Sequence, residues 1–339
     1  MADRTDRRGF LSKTVLGAAG IGAAYSLEEK ILLAAVDAGA ARPESPKPAA
    51  AVNGMPCGKI GKVSISRLVL GGNLIGGWAH SRDLMYVSNL FKAYNTDQKV
   101  FETLALAEQC GINTIQIDPA CNGVVMKYRR EHKGKIQSIV CMSPDADAAK
   151  MRDQIKYLVD TGANCLYTHG MMADELARAG RLDVLGKALD LMKEQGVPAG
   201  IGSHSLETPM ICEKNHLGAD YYVKTLHMDR YWSATPKEKR EEWCWYKGQS
   251  PEHDGYHDNM FCLDPEKTAA FMETVAKPWV AFKVMAAGAI HPRMGFSHAF
   301  RNGADFVLAG MFDFQIEEDV KIALEVLRKL ESRKRPWCA

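Results

Sequence analysis

The stretch DQKVFETLALAEQCGINTIQID, residues 97–118, contains the unit from which the fold is built. Its first part carries apolar residues at helical spacing and predicts a helix that ends at Gly111. Its second part, NTIQID, is a largely apolar run of strand length that ends at Asp118. The join between them, Gly-Ile-Asn, therefore marks the passage from a surface helix into a buried strand.

The same kind of join recurs three more times along the chain. It reads Gly-Ala-Asn at 162–164 and Gly-Ala-Asp at 218–220 and 303–305. From residue 57 onward, eight apolar strand-like runs alternate with helical ones, which indicates a parallel sheet covered by helices. Eight such units in roughly 280 residues favour a single (β/α)8 barrel over an open, doubly wound sheet. The exit of the first strand, GGNLIGGWAH at 71–80, also lacks the GxGxxG spacing of open dinucleotide-binding sheets.

Residues 1–41 are predicted to be a targeting segment rather than part of the fold. The pattern DRRGFLSK at 6–13 resembles the twin-arginine export signal, which has an Arg pair followed by Phe-Leu and often Lys. The Ala- and Gly-rich apolar run behind it is too weak to span a bilayer stably. The resemblance implies the twin-arginine export machinery as a partner and a periplasmic or exported location. Residues 42–56, rich in Pro and Ala, are interpreted as a linker to a barrel at 57–335.

The charge balance and the cysteines exclude several classes of protein. With 43 basic and 41 acidic side chains, the formal net charge is +2, so nothing in the composition indicates nucleic acid or an anionic membrane as a partner. The nine cysteines are dispersed and include no CxxC pair, which makes a poor disulfide framework. Because Cys110, Cys141 and Cys165 lie in apolar runs, we expect them to be small core residues.

The active site of such a barrel forms at the C-terminal ends of its strands. These ends carry four candidate catalytic residues: Asp118, His169, His204 and Lys283. His and Asp suit proton transfer near neutral pH. If Lys283 faces the barrel axis, burial lowers the pKa of its amine and suits it to base or Schiff-base chemistry. A purely structural pairing with Asp118 is the equal alternative.

Three histidines stand at three successive strand ends: His169, His204 and His227. Three imidazoles beside a carboxylate make a plausible ligand set for Zn, Mn, Fe or Co. The same groups could equally transfer protons without a metal. A divalent metal is therefore one of two expectations that the residues leave open.

A long insertion at 228–264 interrupts the link after the sixth strand. Loops of this length on the active-site face are usually functional, and aromatic rings beside polar groups suit the apolar faces and hydroxyl rims of sugars. We expect a lid over a carbohydrate site; the alternative is a small core that only holds the loop down. The predicted substrate contacts, from the strand ends and the insertion, are Asn73, Trp78, His80, Lys224, Trp232, Trp243, Trp245, His253, Asp254 and His257.

Roughly residues 64–230 resemble the aldo/keto reductase family. The segments that carry the resemblance are ISRLVLGGNLIGG at 65–77, ALAEQCGINTIQIDPA at 105–120, LYTHG at 166–170 and EQGVPAGIGSHS at 194–205. They are similar to the family's opening strand and glycine turn, and to the elements that end at its catalytic Asp and His. The resemblance implies a barrel fold and catalytic roles for Asp118 and His169.

The chain departs from the family at its other two catalytic positions. Asn122 and Gly123 stand where the proton-donating Tyr belongs, and IVCMS at 139–143 lacks the Lys that ends the family's third strand. After the eighth strand, where the family binds part of its nicotinamide cofactor through basic and polar residues, the chain reads AGMFDFQIEED at 309–319. This acidic segment disfavours a 2′-phosphate. A metal is therefore preferred to NAD(P) as the cofactor.

These observations predict an exported barrel enzyme that acts on a carbohydrate or polyol-type substrate. Its His, Asp and Lys side chains would perform acid–base chemistry, with or without a metal, in a lyase, hydratase, isomerase or hydrolase step. Two alternatives stay open. One is a divergent NAD(P)-dependent oxidoreductase, and the other is a periplasmic sugar-binding protein without catalysis.

Overall fold

A computed structural model describes residues 54–81, 84–240 and 261–339, except for the side chain of Met85. The predicted export signal at 1–41 and most of the linker at 42–56 lie outside these residues. The described chain begins with an antiparallel hairpin and continues into a closed barrel of parallel strands.

Eight parallel strands follow one another around the barrel in chain order, and the last pairs with the first. The hairpin consists of β1 (Cys57–Ile60) and β2 (Val63–Ser66). The barrel strands are β3 (Leu68–Gly71), β4 (Thr114–Ile117), β5 (Gln137–Met142), β6 (Cys165–Thr168), β7 (Ala199–Ser203), β8 (Tyr221–Thr225), β9 (Trp279–Phe282) and β10 (Phe306–Gly310). The prediction of a single (β/α)8 barrel is confirmed.

Helices connect the strands and cover the outside of the barrel. Those in the described part of the chain are α1 (Asn73–Gly76), α2 (Met85–Tyr94), α3 (Asp97–Gln109), α4 (Asn122–His132), α5 (Ala148–Asp160), α6 (Gly170–Arg178), α7 (Leu182–Glu194), α8 (Glu207–Lys214), α9 (Pro265–Glu273), α10 (Pro292–Arg301) and α11 (Asp313–Arg328). None of the helices in these ranges combines the length and apolarity needed to cross a membrane.

The four glycine joins have the backbone that their sequence predicts. The φ angles are +87° at Gly111, +91° at Gly162, +77° at Gly218 and +101° at Gly303. Glycine enters this left-handed region without the steric cost that a Cβ atom brings, and so it ends the helix and turns the chain toward the sheet.

The Asn or Asp that ends each join, two residues after the glycine, hydrogen-bonds the start of the neighbouring strand. Each side-chain oxygen accepts a backbone N–H at or next to the entry of the preceding barrel strand: Asn113 from Ser66 at 2.8 Å, Asn164 from Ser138 at 2.9 Å, Asp220 from Ala199 at 2.8 Å and Asp305 from Trp279 at 3.0 Å. A strand entry otherwise leaves such a donor unpaired. The recurring Gly-x-Asn/Asp motif therefore sets both the turn and the spacing of adjacent strands.

Two apolar layers make up the core. One lies between the strands and the helices. The other fills the barrel, where Ile60 and Ile65 of the hairpin pack with inward-facing strand residues. Cys110, Cys141 and Cys165 are all buried, which confirms their prediction as core residues.

The run PWVAFKVMAAG at 278–288 predicts one continuous strand, and this prediction is wrong in its second half. The strand β9 ends at Phe282, because Lys283 adopts a left-handed backbone with φ +57°. A 3-10 turn follows at Ala286–Gly288. This early end places Lys283 on the rim of the barrel rather than within the strand.

A buried ion pair holds the C-terminal segment against the barrel. The Arg335 Nη2 donates to Asp305 Oδ2 at 3.0 Å and to the Lys277 carbonyl at 2.8 Å, while Nη1 donates to the Met272 carbonyl at 3.0 Å. Both charged side chains are almost completely buried. The pair therefore joins three separate parts of the chain in a region that excludes water.

We expect Arg335→Met to lower the free energy of unfolding by about 2–4 kcal/mol, because it removes the closer of the two cations at the buried Asp305 and leaves only Arg333 at 3.8 Å. Urea denaturation measures the change. The matched control is Arg293→Met, which removes an exposed ion pair to Glu325 and should cost no more than about 1 kcal/mol. Equal effects of the two substitutions would contradict the structural role of Arg335.

Candidate functional site

A cavity of about 850 Å³ opens at the C-terminal ends of the barrel strands. The loops after the strands form its walls, and inward-facing side chains of the barrel form its floor. Seven of the predicted site residues line it: Asn73, Trp78, His80, Asp118, His169, His204 and Lys283. The structure thus brings all four predicted catalytic residues to one cavity.

Lys283 and His80 form a direct contact in this cavity. The Lys283 Nζ lies 2.9 Å from His80 Nε2 and 3.8 Å from the centre of the Phe261 ring. Both Lys283 and His80 have left-handed backbones, with φ +57° and +50°, which costs a residue with a Cβ atom about 1–2 kcal/mol. Strain of this kind persists where the surroundings fix it, and it concentrates at functional sites.

The electrostatics of this pair favour neutral forms. Burial lowers the pKa of Lys283 to about 7 from an ordinary value of 10.5. The charge of Lys283 is the largest cause that lowers the pKa of His80 to about 3, followed by burial and by His204. A neutral imidazole can accept a hydrogen bond from the amine. A substantial fraction of Lys283 is therefore the free amine near pH 7.

The alternative of a structural Lys283–Asp118 pair does not match the geometry. The hydrogen-bond partner of Lys283 Nζ is His80, and within the described ranges no ion pair joins Lys283 to a carboxylate. The sequence could not show this partner, since His80 lies 203 positions away along the chain.

His204 is oriented by a buried carboxylate that sequence reasoning missed. Asp174 Oδ2 lies 2.7 Å from the backbone N and 3.1 Å from the ring Nδ1 of His204, and it also accepts the Ser205 N–H at 3.3 Å. Its Oδ1 accepts the Thr208 hydroxyl at 2.6 Å. With Nδ1 held as the donor, the lone pair of the neutral ring is on Nε2. The sequence feature that could have identified Asp174 is an Asp on the inner face of the amphipathic helix α6.

Burial controls the charge of both members of this pair. It lowers the pKa of His204 well below its ordinary value, so the ring is neutral. It raises the pKa of Asp174 to about 7, although hydrogen bonds from Thr208 and the His204 backbone act in the opposite direction. His204 is therefore a neutral, fixed imidazole on the wall of the cavity.

His169 contributes a second neutral imidazole. It directly precedes α6, and its backbone N–H donates to the Met142 carbonyl at 2.8 Å. Burial is the largest cause that lowers its pKa, and the charge of Asp118 opposes this shift. The buried Nδ1 has no hydrogen-bond partner in the described ranges. A buried polar atom of this kind costs about 1–3 kcal/mol unless a ligand satisfies it.

Asp118 lies near two further side chains, Cys141 and Tyr167, that the sequence did not indicate as site residues. Its Oδ1 accepts the Ala120 N–H at 2.9 Å, and its Oδ2 lies 3.6 Å from the Cys141 thiol. Tyr167 lies opposite Cys141 on the neighbouring strand β6 and also faces inward. Burial raises the pKa of its phenol well above 10.0. Both Cys141 and Tyr167 line the cavity. Their positions followed from strand alternation, but neither stands at a strand end.

His227 does not join the other imidazoles, which corrects its prediction as a metal ligand. The ring is completely buried. Its Nδ1 lies 2.9 Å from the Met228 carbonyl, and its Nε2 accepts the backbone N–H groups of Phe261 and Cys262, both at 3.0 Å. Both ring nitrogens are thus used by the backbone. His227 fixes the return of the insertion and so places Phe261 over Lys283.

We expect His227→Ala to lower the free energy of unfolding by about 2–3 kcal/mol, because two buried N–H groups lose their acceptor. Urea denaturation with and without a chelator measures this. The loss should be the same in both conditions, whereas a metal ligand would lose stability only when metal is present. The exposed His216 offers a control, and His216→Asn should change the value by less than about 0.5 kcal/mol.

The remaining predicted contacts fall in three places. Lys224 is buried, its Nζ donates to the Thr225 hydroxyl at 2.8 Å, and it lines a smaller cavity beside His204 rather than the main one. Trp232 is 81% exposed and lies outside the cavity lining. Those outside the described residues are Trp243, Trp245, His253, Asp254 and His257.

The predicted metal-binding trio is therefore not assembled. His169 and His204 share the cavity, but His227 is committed to the backbone. In residues 54–81, 84–240 and 261–339, no group of three or more His, Cys, Asp or Glu side chains is arranged to hold a metal ion.

Comparison with known proteins relates the fold to other barrels. No family model matches the chain, and no curated protein matches it. Its structure is similar to a proposed aldo-keto reductase from Pseudomonas aeruginosa, with a TM-score of 0.56 and 16% sequence identity over 83% of this chain and 98% of that one. A truncated 3-deoxy-D-arabino-heptulosonate 7-phosphate synthase from Thermotoga maritima aligns with a TM-score of 0.45 and 10% identity over 82% and 93%. At 16% identity the first likeness shows a (β/α)8 barrel fold and nothing further.

Proposed function

We propose that this chain is an enzyme that acts on a small carbohydrate or polyol-type substrate by proton transfer. Lys283 and His80 form the central pair, with His169, His204 and Asp118 around them. The observation that carries the proposal is the 2.9 Å contact between Lys283 Nζ and His80 Nε2 inside the cavity. A neutral amine beside neutral imidazoles suits removal of a proton next to a carbonyl group, as in an isomerase or lyase step.

The lining of the cavity supports a polyhydroxylated substrate. Hydrogen-bonding side chains alternate with aromatic rings, a combination that suits the hydroxyls and the apolar C–H faces of a sugar. The polar members outside the catalytic set include Asn73, Gln116, His291 and Gln315, and the aromatic ones are Trp78, Phe91, Tyr167, Phe261, Phe282 and Phe312.

The same lining favours this proposal over a nicotinamide-dependent reductase. Among the described residues, Lys283 is the only Lys or Arg that lines the cavity. A dinucleotide carries a diphosphate, which proteins usually bind through cationic side chains or a helix N-terminus. Here α11 begins at Asp313, whose carboxylate pairs with Lys99 at 3.0 Å. A fluorescence titration with NADPH tests this point, and tight binding would contradict it.

Proton transfer without a metal is the version that we propose, because His227 is unavailable as a third imidazole ligand. Elemental analysis of the purified protein tests it. A stoichiometric transition metal that activity requires would overturn this part of the proposal.

We also propose that the chain is exported through the twin-arginine route, on the strength of Arg7 and Arg8 ahead of Phe10-Leu11. Fractionation of cells that express the full chain tests this. The double substitution Arg7→Lys/Arg8→Lys should retain the protein in the cytoplasm, and unchanged export of that variant would contradict the proposal.

The test of the activity is hydrogen exchange in D2O. The protein is incubated with aldoses, ketoses and keto-glycosides, and NMR follows deuterium uptake at the carbon next to the carbonyl. We expect uptake with wild-type protein and with Lys150→Met, which alters a 70% exposed lysine, but not with Lys283→Met. Sugar binding without exchange or turnover would instead favour a non-catalytic carbohydrate-binding protein.

A further inference from the structure

We propose that Lys283 forms a covalent imine with the carbonyl group of an open-chain hydroxy-aldehyde or hydroxy-ketone, with His80 as the proton acceptor and donor for that step. This proposal rests on the proposed function and deepens it, since it adds a covalent bond between Lys283 and the substrate to the proton transfer. The geometry that points to it is an amine that faces a substrate-sized cavity and hydrogen-bonds only a neutral base among the described residues.

The step balances without an outside reagent. Lys283 Nζ attacks the carbonyl carbon, and a C–N bond forms while the amine proton moves to His80 Nε2. His80 returns this proton to the oxygen as the C=O π bond breaks, which gives a neutral carbinolamine. The hydroxyl then takes up one proton from solvent and leaves as water, and the C=N bond forms as a protonated imine that keeps the remaining N–H. One water is released and no electrons are exchanged with a third species. Hydrolysis by one water restores the carbonyl and the amine.

The surroundings of Lys283 differ from those of a structural lysine. Its Nζ lies over the face of Phe261 at 3.8 Å, an arrangement that stabilises a cation without neutralising it. A protonated imine retains the positive charge at this position. By contrast, Lys224, the lysine at the neighbouring strand end, directs its Nζ to the hydroxyl and carbonyl of Thr225. Phe261 is itself fixed, because its backbone N–H donates a hydrogen bond to His227 Nε2.

His80 is held where the step needs it. Its Nε2 lies 3.4 Å from Asn73 Nδ2 as well as 2.9 Å from Lys283 Nζ, and its ring meets Phe261 edge-on at 5.3 Å between centroids. The other titratable groups of the cavity are Asp118, Cys141, Tyr167, His169, His204 and His291. No described carboxylate forms an ion pair with Lys283, so the free amine stays available at neutral pH.

The experiment is reductive trapping with dihydroxyacetone and cyanoborohydride at pH 8, on the full chain, with the modified site located by peptide mass spectrometry. We expect an adduct of the probe mass minus one water plus two hydrogens on Lys283. It should form about tenfold or more faster than on Lys150, because most exposed lysines are protonated at this pH. Modification of Lys283 at the same rate as Lys150 would overturn the imine. This comparison uses wild-type protein and needs no variant to fold.

One variant and the exchange assay complete the test. In His80→Asn the new side chain tolerates the left-handed backbone. This variant should slow trapping at Lys283 and leave trapping at Lys150 unchanged. If Lys283 were trapped as fast in the variant as in wild-type protein, His80 would have no role in the step. Exchange in D2O without trapping would leave Lys283 as a base only, which overturns the imine and keeps the proposed function. Trapping without exchange would keep the imine and overturn the proposed proton transfer.

Discussion

Lys283→Met should abolish deuterium exchange, with a rate loss of about 10²–10⁴-fold, while the fold becomes more stable. The rate falls because the amine that would take the proton or bind the carbonyl is gone. Stability rises because wild-type protein must desolvate that amine, whereas methionine is apolar and similar in length. Exchange by NMR and urea denaturation measure the two effects on the same samples.

The pH dependence of stability shows whether Lys283→Met stabilises the fold by removing a buried amine or by better packing. Between pH of about 7 and 10.5, the unfolded Lys283 is protonated and the folded one is not. The unfolded state therefore binds more protons, and wild-type stability rises with pH across this window. The advantage of Lys283→Met should be greatest below pH 7 and should disappear toward pH 10.5. A gain that does not vary with pH would contradict the lowered pKa.

Asp174→Ala should lower the free energy of unfolding by about 3–5 kcal/mol. The carboxylate is completely buried and meets the Thr208 hydroxyl, two backbone N–H groups and the His204 ring. Removal leaves these groups without an acceptor in a region that excludes water. The exposed Asp183, paired with Arg181, is the matched control, and Asp183→Asn should cost less than about 1 kcal/mol.

Asp174→Asn tests whether this residue also positions His204. The amide keeps one acceptor oxygen, so the variant should fold, but it can no longer satisfy every donor. We expect exchange to slow by about 10²-fold through the rate constant rather than through substrate affinity. Nitrogen NMR of His204 should show loss of the single tautomer. An unchanged tautomer and an unchanged rate would make Asp174 a structural residue only.

The barrel was predictable because its repeating unit is local. A helix that ends in Gly, followed by Asn or Asp and an apolar strand, encodes the turn and the bond to the neighbouring strand in about three residues. Asn113 and Asp305 show this at opposite ends of the chain. The end of β9 was not predictable, since residues 278–288 are apolar apart from Lys283 and a left-handed backbone is uncommon at a lysine.

The candidate site was predictable only in part, because strand position places a residue but does not set the direction of its side chain. Strand ends converge in any barrel, so Asp118, His169, His204 and Lys283 could be placed in one cavity from their positions alone. Which atoms each ring nitrogen would meet depends on side-chain direction. His227 stands at an equivalent strand end, yet its ring turns to the backbone of the insertion. Asp174 was missed because it acts from a helix rather than from a strand end; its only signal was its place on the buried face of α6.

The proposed chemistry requires that Lys283 is a free amine near neutral pH within the cavity. The most direct measurement is an NMR titration of protein with ¹³C-labelled lysine, in which Lys283→Met identifies the resonance. We expect a midpoint near pH 7, because burial lowers the pKa of Lys283 to about 7. A midpoint near the ordinary lysine value of 10.5 would contradict it.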